Sequence, residues 1–288
     1  SAPNPDLRWE TTSQLGIGLD LAFSNNRYRF TFDYYDKSTK NLLAIIPLPG
    51  SVGFSSQITN LGEIKNTGME FSLGATVAEG NFGWDIAGQI SYNKNEVITI
   101  GEDILGGTLD IPFASPINIA REGEPLGMFY GFRDDGFDDN GVLQYRDLNG
   151  DGEISNEDQE IIGNPYPDFI YGLNNTFNYK NLQLNIFIEG SQGNDLFWAT
   201  GGGVANSFSQ GGNQLIDVYN DYWTPQNTDA AFAAPTNNRA QFRPSDRFIK
   251  DASYLRLKNV KLAYNLPLEK MDVGINSFQI YVSAQNLL

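Results

Sequence analysis

The sequence predicts an all-β antiparallel chain, and three observations carry that expectation. Apolar residues recur at every second position over stretches of about ten residues, the period of a strand with two unlike faces. Short polar turns join these stretches in pairs, and long connections separate the pairs. No run of about 18 apolar residues occurs, so a membrane-crossing helix is not expected, a test that does not touch membrane-crossing strands.

The first stretch begins at Gln14. Leu15, Ile17, Leu19, Leu21 and Phe23 fall on one face and Gln14, Gly16, Gly18, Asp20 and Ala22 on the other. After the turn Ser24-Asn25-Asn26-Arg27, Tyr28, Phe30, Phe32 and Tyr34 alternate with Arg29, Thr31 and Asp33, which completes a hairpin. A second hairpin sets Met69, Phe71, Leu73, Ala75 and Val77 before the turn at 79–81, with Trp84, Ile86, Ile90 and Tyr92 after it. Gly88 interrupts that apolar face. A third runs from about Phe169 to Asn178, turns at 179–181 and returns through Leu182, Leu184, Ile186 and Ile188. In the fourth, Leu255 and Leu257 precede Val260, Leu262 and Tyr264, a change of phase near Asn259 that implies a β-bulge. Its partner carries Phe278, Ile280, Val282 and Ala284.

Long polar stretches at about 39–66, 97–167 and 194–251 alternate with the short turns. Compact soluble domains rarely hold structureless loops beyond about 12–15 residues. Outer-membrane barrels join strands of about ten residues by tight turns on one side and long loops on the other. Residues 1–288 are read as one domain, and two architectures fit. One is an antiparallel transmembrane β-barrel segment of about eight strands with long extracellular loops. The other is a soluble β-sandwich, whose strands also alternate because one face packs on a core.

Composition narrows the function. The 19 Lys and Arg against 35 Asp and Glu leave a net charge of −16, which repels nucleic acid. With no Cys and no His, thiolate nucleophiles, imidazole bases and the usual zinc ligands are all missing. No two carboxylates stand out as a glycosidase-like acid/base pair, so an enzyme is not expected. The N-terminal Ser1-Ala2-Pro3-Asn4-Pro5-Asp6 lacks the basic and apolar regions of a signal peptide, as expected of a mature, a trimmed or a fragmentary chain, of which the fragment is the favoured reading.

One motif offers ligand oxygens. Asp147, Asn149 and Asp151 occupy positions 1, 3 and 5 of an EF-hand-like loop, with Gly152 at the sharp turn and Asp158 at position 12. Calcium suits this order, with Glu153 giving its backbone carbonyl, and the ion would stiffen a long loop. Asp, Asn and Gly also favour turns without any ion. Trp9, Tyr28, Trp84 and Tyr92 stand at strand ends, where interfacial aromatic girdles form. Phe197, Trp198, Tyr222 and Trp223 lie in a loop and suit either sugar or partner contact, or plain loop packing. Gly201-Gly202-Gly203 and Gly211-Gly212 read as flexible loop, since no phosphate-cradle pattern surrounds them.

Several segments resemble the C-terminal part of SusC/RagA-family TonB-linked outer-membrane proteins. They include Asn4-Pro5-Asp6-Leu7-Arg8-Trp9-Glu10, Gly53-Phe54-Ser55-Ser56-Gln57 with Asn60-Leu61-Gly62, and Asn66-Thr67-Gly68-Met69-Glu70. Asp147-Leu148-Asn149-Gly150-Asp151-Gly152, Ile161-Ile162-Gly163-Asn164-Pro165 and Tyr254-Leu255-Arg256-Leu257-Lys258-Asn259-Val260 follow in order. The resemblance implies about eight strands of a 22-stranded barrel, without its plug domain, earlier strands and last strands. It further implies an importer of oligosaccharides or peptides in the outer membrane of a Bacteroidetes-like cell, in contact with lipid. Its partners would be a SusD-like lipoprotein and TonB, the latter through the plug. The rival reading is a soluble carbohydrate-binding β-sandwich with a calcium-stiffened loop.

Overall fold

A computed structural model of the chain describes residues 1–108, 115–205, 213–236, 242–267 and 277–287. Eight strands form one sheet: β1 (Thr11–Phe23), β2 (Tyr28–Lys40), β3 (Glu63–Ala78), β4 (Phe82–Thr99), β5 (Phe169–Tyr179), β6 (Leu182–Gln192), β7 (Tyr254–Asn265) and β8 (Gln279–Gln285). Each bonds antiparallel to its sequence neighbours, with β1 and β8 at the two edges. The first turn is made by Ser24, Asn25 and Asn26 at positive φ, a region that asparagine tolerates better than most residues. Between β6 and β7 the register shifts: Phe187 faces Asn259 but Ile188 faces Leu257, so Lys258 is the extra residue of the expected bulge.

The period-two pattern becomes two continuous surfaces. Leu19, Phe32, Phe71, Ile90, Tyr171, Gly190 and Leu255 form one cross-strand row on the apolar side. Phe23, Tyr28, Ala75, Ile86, Asn175, Ile186, Val260 and Ala284 form another. No second sheet covers this surface among the described residues: Leu15 remains 59% exposed, Leu73 63% and Val282 66%. A sandwich would have sealed these side chains, so the soluble alternative fails on burial. Gly88 is the gap foreseen in the apolar face, and Leu173 leans over it.

The band is oblique. In β1 and β2 the row through Phe23 and Tyr28 is the last before the turn. In β5 and β6 four residues of each strand lie beyond that row, and in β7 and β8 five do. From the first hairpin to the fourth, six strands away, the turn edge therefore drops by five residues. With ~3.3 Å per residue and ~4.8 Å between strands, this is a tilt of about 30°, near the ~35–45° of transmembrane barrels.

The long connections are not structureless, contrary to expectation. A hairpin pairs Leu43–Pro47 with Ser56–Asn60. Further on, Glu160–Gly163, Met128–Gly131, Asn118–Ala120 and Ile104–Gly106 make a four-stranded sheet in that order. Asp134–Phe137 pairs with Leu143–Tyr145, and Asp195–Phe197 with Ile249–Asp251. Two small cores hold this cap together. Phe132, Leu143, Tyr145, Ala233 and Phe242 form one, and Ile117, Phe129, Ile162, Phe197 and Phe248 the other. Both draw residues from either side of the β5–β6 hairpin. Gly201–Val204 is a helical turn where a flexible glycine run was expected, while Gly211 and Gly212 lie outside the described residues.

Candidate functional site

Two regions follow from this architecture: the polar face of the sheet and the cap at the end of its long loops. On the polar face, side chains bond along the wall. Thr31 Oγ1 donates to Asp20 at 2.9 Å and Thr76 Oγ1 to Asp85 at 2.7 Å. Asn185 Nδ2 donates to Asn174 Oδ1 at 2.8 Å, and Gln183 Nε2 to Asn178 Oδ1 at 3.0 Å. Such bonds are affordable where water reaches the wall and costly against hydrocarbon. Across β2–β7 this face sinks into a hollow of about 760 Å³, with Gly74, Ala87 and Gly172 as its floor. Arg29, Gln89, Asn174, Asn185 and Asn259 line its sides.

In the cap, two reciprocal dipeptides lock distant segments. Arg133 pairs with Asp246 at 3.3 Å, and Arg247 with Asp134 at 2.7 Å, so Arg133-Asp134 and Asp246-Arg247 clasp each other. Arg133 also bonds Glu160 at 2.5 Å and the Ile161 carbonyl at 3.1 Å, tying in the four-stranded sheet. Burial pushes the Asp134 carboxyl up, and the Arg247 guanidinium beside it pulls the other way. Beneath the clasp, Tyr145 Oη accepts from the Arg243 backbone N–H at 2.9 Å. The Arg243 guanidinium lies 4.9 Å from the Phe132 ring and bonds the Ile154 carbonyl at 3.0 Å. Burial drives the Tyr145 phenol up to about 12. None of these residues stood out in the sequence. The signal was available in the complementary Arg-Asp and Asp-Arg pairs, but 112 residues separate their members.

The acidic loop is closed by its own backbone. Asp147 accepts from Gly150 N at 2.6 Å and Gly152 N at 2.8 Å, Asn149 from Asp151 N at 3.0 Å, and Asp151 from Glu153 N at 2.8 Å. Asp158 is fully buried and closes the loop at its far end. Its Oδ2 accepts from Ser155 N at 2.7 Å and its Oδ1 from Leu148 N at 2.8 Å, a capping box with Ser155. The Ser155 bond leads in holding this carboxyl below the usual carboxylate range, against the opposing push of burial. Glu157 approaches instead, with Asn149 Nδ2 donating to it at 3.2 Å. Asp147, Asn149 and Asp151 thus share one arc, while Asp158 spends its oxygens on backbone. Among the described residues no three acidic side chains gather in metal-holding geometry.

The four loop aromatics divide. Phe197 and Trp223 are buried, Phe197 in the cap core and Trp223 beneath Gly141. Trp198 and Tyr222 are half-buried, and Lys250 lies 5.7 Å from the Trp198 ring. Packing under the cap surface accounts for the first pair. Tyr28 and Tyr92 stand exposed at opposite ends of the apolar band and Trp84 near its turn end, while Trp9, 89% exposed, lies before β1.

An oblique apolar band on one side, a wet wall on the other, tight turns at one end and a folded cap at the other define a segment of outer-membrane β-barrel. The chain belongs to the TonB-dependent receptor-like β-barrel family, whose model matches residues 1–287. It is 38% identical to TonB-dependent receptor P3 of Formosa agariphila over 99% of its length, and 30% identical to TonB-dependent receptor SusC of Bacteroides thetaiotaomicron over 98%. The chain spans about 30% of the former and 29% of the latter. All of it superposes on the RagAB peptide transporter with a TM-score of 0.85 at 25% identity, covering 32% of that chain. Membership in this SusC/RagA-type family places the protein in the outer membrane of a Bacteroidetes cell, where the exposed Leu, Ile and Phe face lipid.

Proposed function

We propose that this chain is part of the barrel wall of a TonB-dependent importer of oligomeric nutrients, oligosaccharides in the first reading. A SusD-like lipoprotein would rest on the cap, and TonB would act through a plug domain elsewhere in the receptor. The observation that carries this reading is the pairing of an apolar outer band with a polar inner wall across eight strands. Neutral amides dominate the inner wall of β5 and β6, which suits hydroxyl-rich cargo. The likeness to RagAB, described as a peptide transporter, favours peptides as the second reading. The receptor is not an enzyme in either.

The test is uptake of labelled oligosaccharides and peptides by cells carrying the complete receptor, with and without TonB. Deleting residues 97–167 or 194–251 should each abolish lipoprotein association and uptake, because the cap cores need both segments. Unchanged uptake in either deletion would sink the role given to the cap.

Calcium remains a proposal for the 147–158 turn. Asp147, Asn149, Asp151 and the Glu153 carbonyl would offer oxygens, with Asp158 holding the loop shut from behind. Thermal melting of the receptor in calcium and in chelator tests this, and equal midpoints would remove the ion.

A further inference from the structure

Where the two small cores of the cap meet, the surface sinks into a pocket of about 180 Å³. Leu143 and Ala233 reach its floor from one core and Phe248 from the other, and all three are buried. Trp198, Arg247 and Lys250 line its sides, with exposed Lys250 and half-buried Trp198 marking the mouth. Gly201 leaves room for the indole, since a Cβ there would run into the Trp198 ring. Arg247 donates from Nη1 to the Ala231 carbonyl at 2.8 Å and pairs through Nη2 with Asp134 at 2.7 Å. Its Nε is buried and has no hydrogen-bond partner among the described residues. The Trp198 indole N–H and the Lys250 ammonium also donate to no acceptor among them, and the ammonium lies 5.7 Å from the Trp198 ring.

These groups narrow the choice of occupant. Arg, Lys and the Trp indole are donors only, and two of the three are cations, so together they select an oxyanion. A buried donor left without an acceptor is costly, which adds to the gain when an oxygen enters. The floor is apolar, so the anion must be carried on a body with apolar surface of its own. The volume is close to the ~150 Å³ cavity that holds one benzene ring, which limits that body to a single ring or side chain. In a chain with a net charge of −16, an acidic cargo is repelled by most of the surface and is held only where cations gather.

We infer that this pocket is a cargo subsite for one carboxylate-bearing unit. The carboxylate accepts from Arg247 Nε and the Lys250 ammonium, and the ring or side chain that carries it rests on Trp198 and Phe248. Two kinds of cargo present such a unit: an oligosaccharide containing a hexuronate, and a peptide ending in an apolar residue. The inference rests on the importer reading and adds to it the charge of the cargo.

The experiment titrates the complete receptor, purified in detergent, with methyl galacturonoside and with N-acetylphenylalanine, each beside its uncharged amide, and reads binding by saturation-transfer NMR. At least one acid should bind about tenfold or more tighter than its amide, the margin that a charge-assisted hydrogen bond gives, and the acid that does so names the cargo class. Lys250→Glu should erase that margin and Lys250→Arg should keep it, with the protease resistance of the cap unchanged in both. Trp198→Ala should weaken acid and amide alike. Acids that bind the wild-type receptor no tighter than their amides would overturn the subsite, as would a margin that survives Lys250→Glu. Absence of a margin together with weaker lipoprotein association in Lys250→Glu would overturn it too, since the pocket would then hold a carboxylate of the partner. Binding as expected in a receptor whose cells import neither oligosaccharides nor peptides would sink the importer reading and leave the subsite standing.

Discussion

The tilt of the apolar band makes a quantitative claim about where a charge can be tolerated. Leu19 and Leu255 lie in one cross-strand row, six strands apart. At a tilt of about 30° and ~4.8 Å between strands, each strand crossed changes depth by roughly 2.4 Å, so their depths differ by about 14 Å. Leu19 falls at the middle of the band in β1, whereas Leu255 falls at the loop-side rim in β7. By the same geometry Val260 is central and its row partner Phe23 is at the turn-side rim. Arginine at Leu19 or Val260 should therefore cost about 2–4 kcal/mol, and at Phe23 or Leu255 about 0–1 kcal/mol. Reversible unfolding of the complete barrel from phospholipid vesicles by denaturant measures this directly. Equal costs within each row would mean the rows run level with the bilayer, and the tilt argument would be wrong. Costs near zero at all four would remove the lipid contact itself.

Other expected outcomes concern the cap. Burial raises the Tyr145 phenol to about 12 from a value of 10.0 in the unfolded chain. The stability it contributes is complete below pH 10 and is lost as pH rises through about 12; fluorescence-monitored unfolding should fall by about 3 kcal/mol across that window. Tyr145→Phe should remove this step and cost about 1–3 kcal/mol at neutral pH, because the Arg243 N–H loses its acceptor. Gly141→Ala should destabilise the cap by about 1–3 kcal/mol, seen as faster cleavage by added protease, since a Cβ there meets Trp223 at 2.5 Å and φ is +75°. The Asp158 carboxyl is held below its usual range, so its contribution is present above the unfolded value of 3.8 and lost as pH falls through the lower, folded one. Asp158→Ala should open the 147–158 loop to protease at neutral pH, and Asp158→Asn should do so less. Resistance of both variants equal to wild type would show that the capping box is dispensable.

The wall was legible in the sequence because a lipid-facing strand must alternate, and Leu15 to Phe23 or Leu182 to Ile188 do so without help from distant residues. Even the Lys258 bulge announced itself as a slipped phase. Strand length was less legible. β3 begins at Glu63 and β4 runs to Thr99, beyond the apolar band, where the alternation of apolar and polar residues fades and the pattern gives no cue. The cap was not legible at all. Phe132, Tyr145 and Phe242 meet across about a hundred residues or more, and between them lie glycines and acidic pairs that look locally like open loop. The acidic run at 147–158 was legible as a loop, but closure by backbone amides, as Asp158 shows, and closure around an ion call for the same residues, so the sequence does not choose between them.

Because every wall strand bonds only to its sequence neighbours, the sheet can be laid down one hairpin at a time, each new pair finding its template already in place. The cap obeys a different clock. Leu143 and Phe242 stand on either side of β5 and β6, and Arg133 waits for Asp246, so neither small core can close until the third hairpin has been synthesised and the chain has returned past it. Closure of the outer rim therefore draws on both sides of that hairpin and comes after its synthesis.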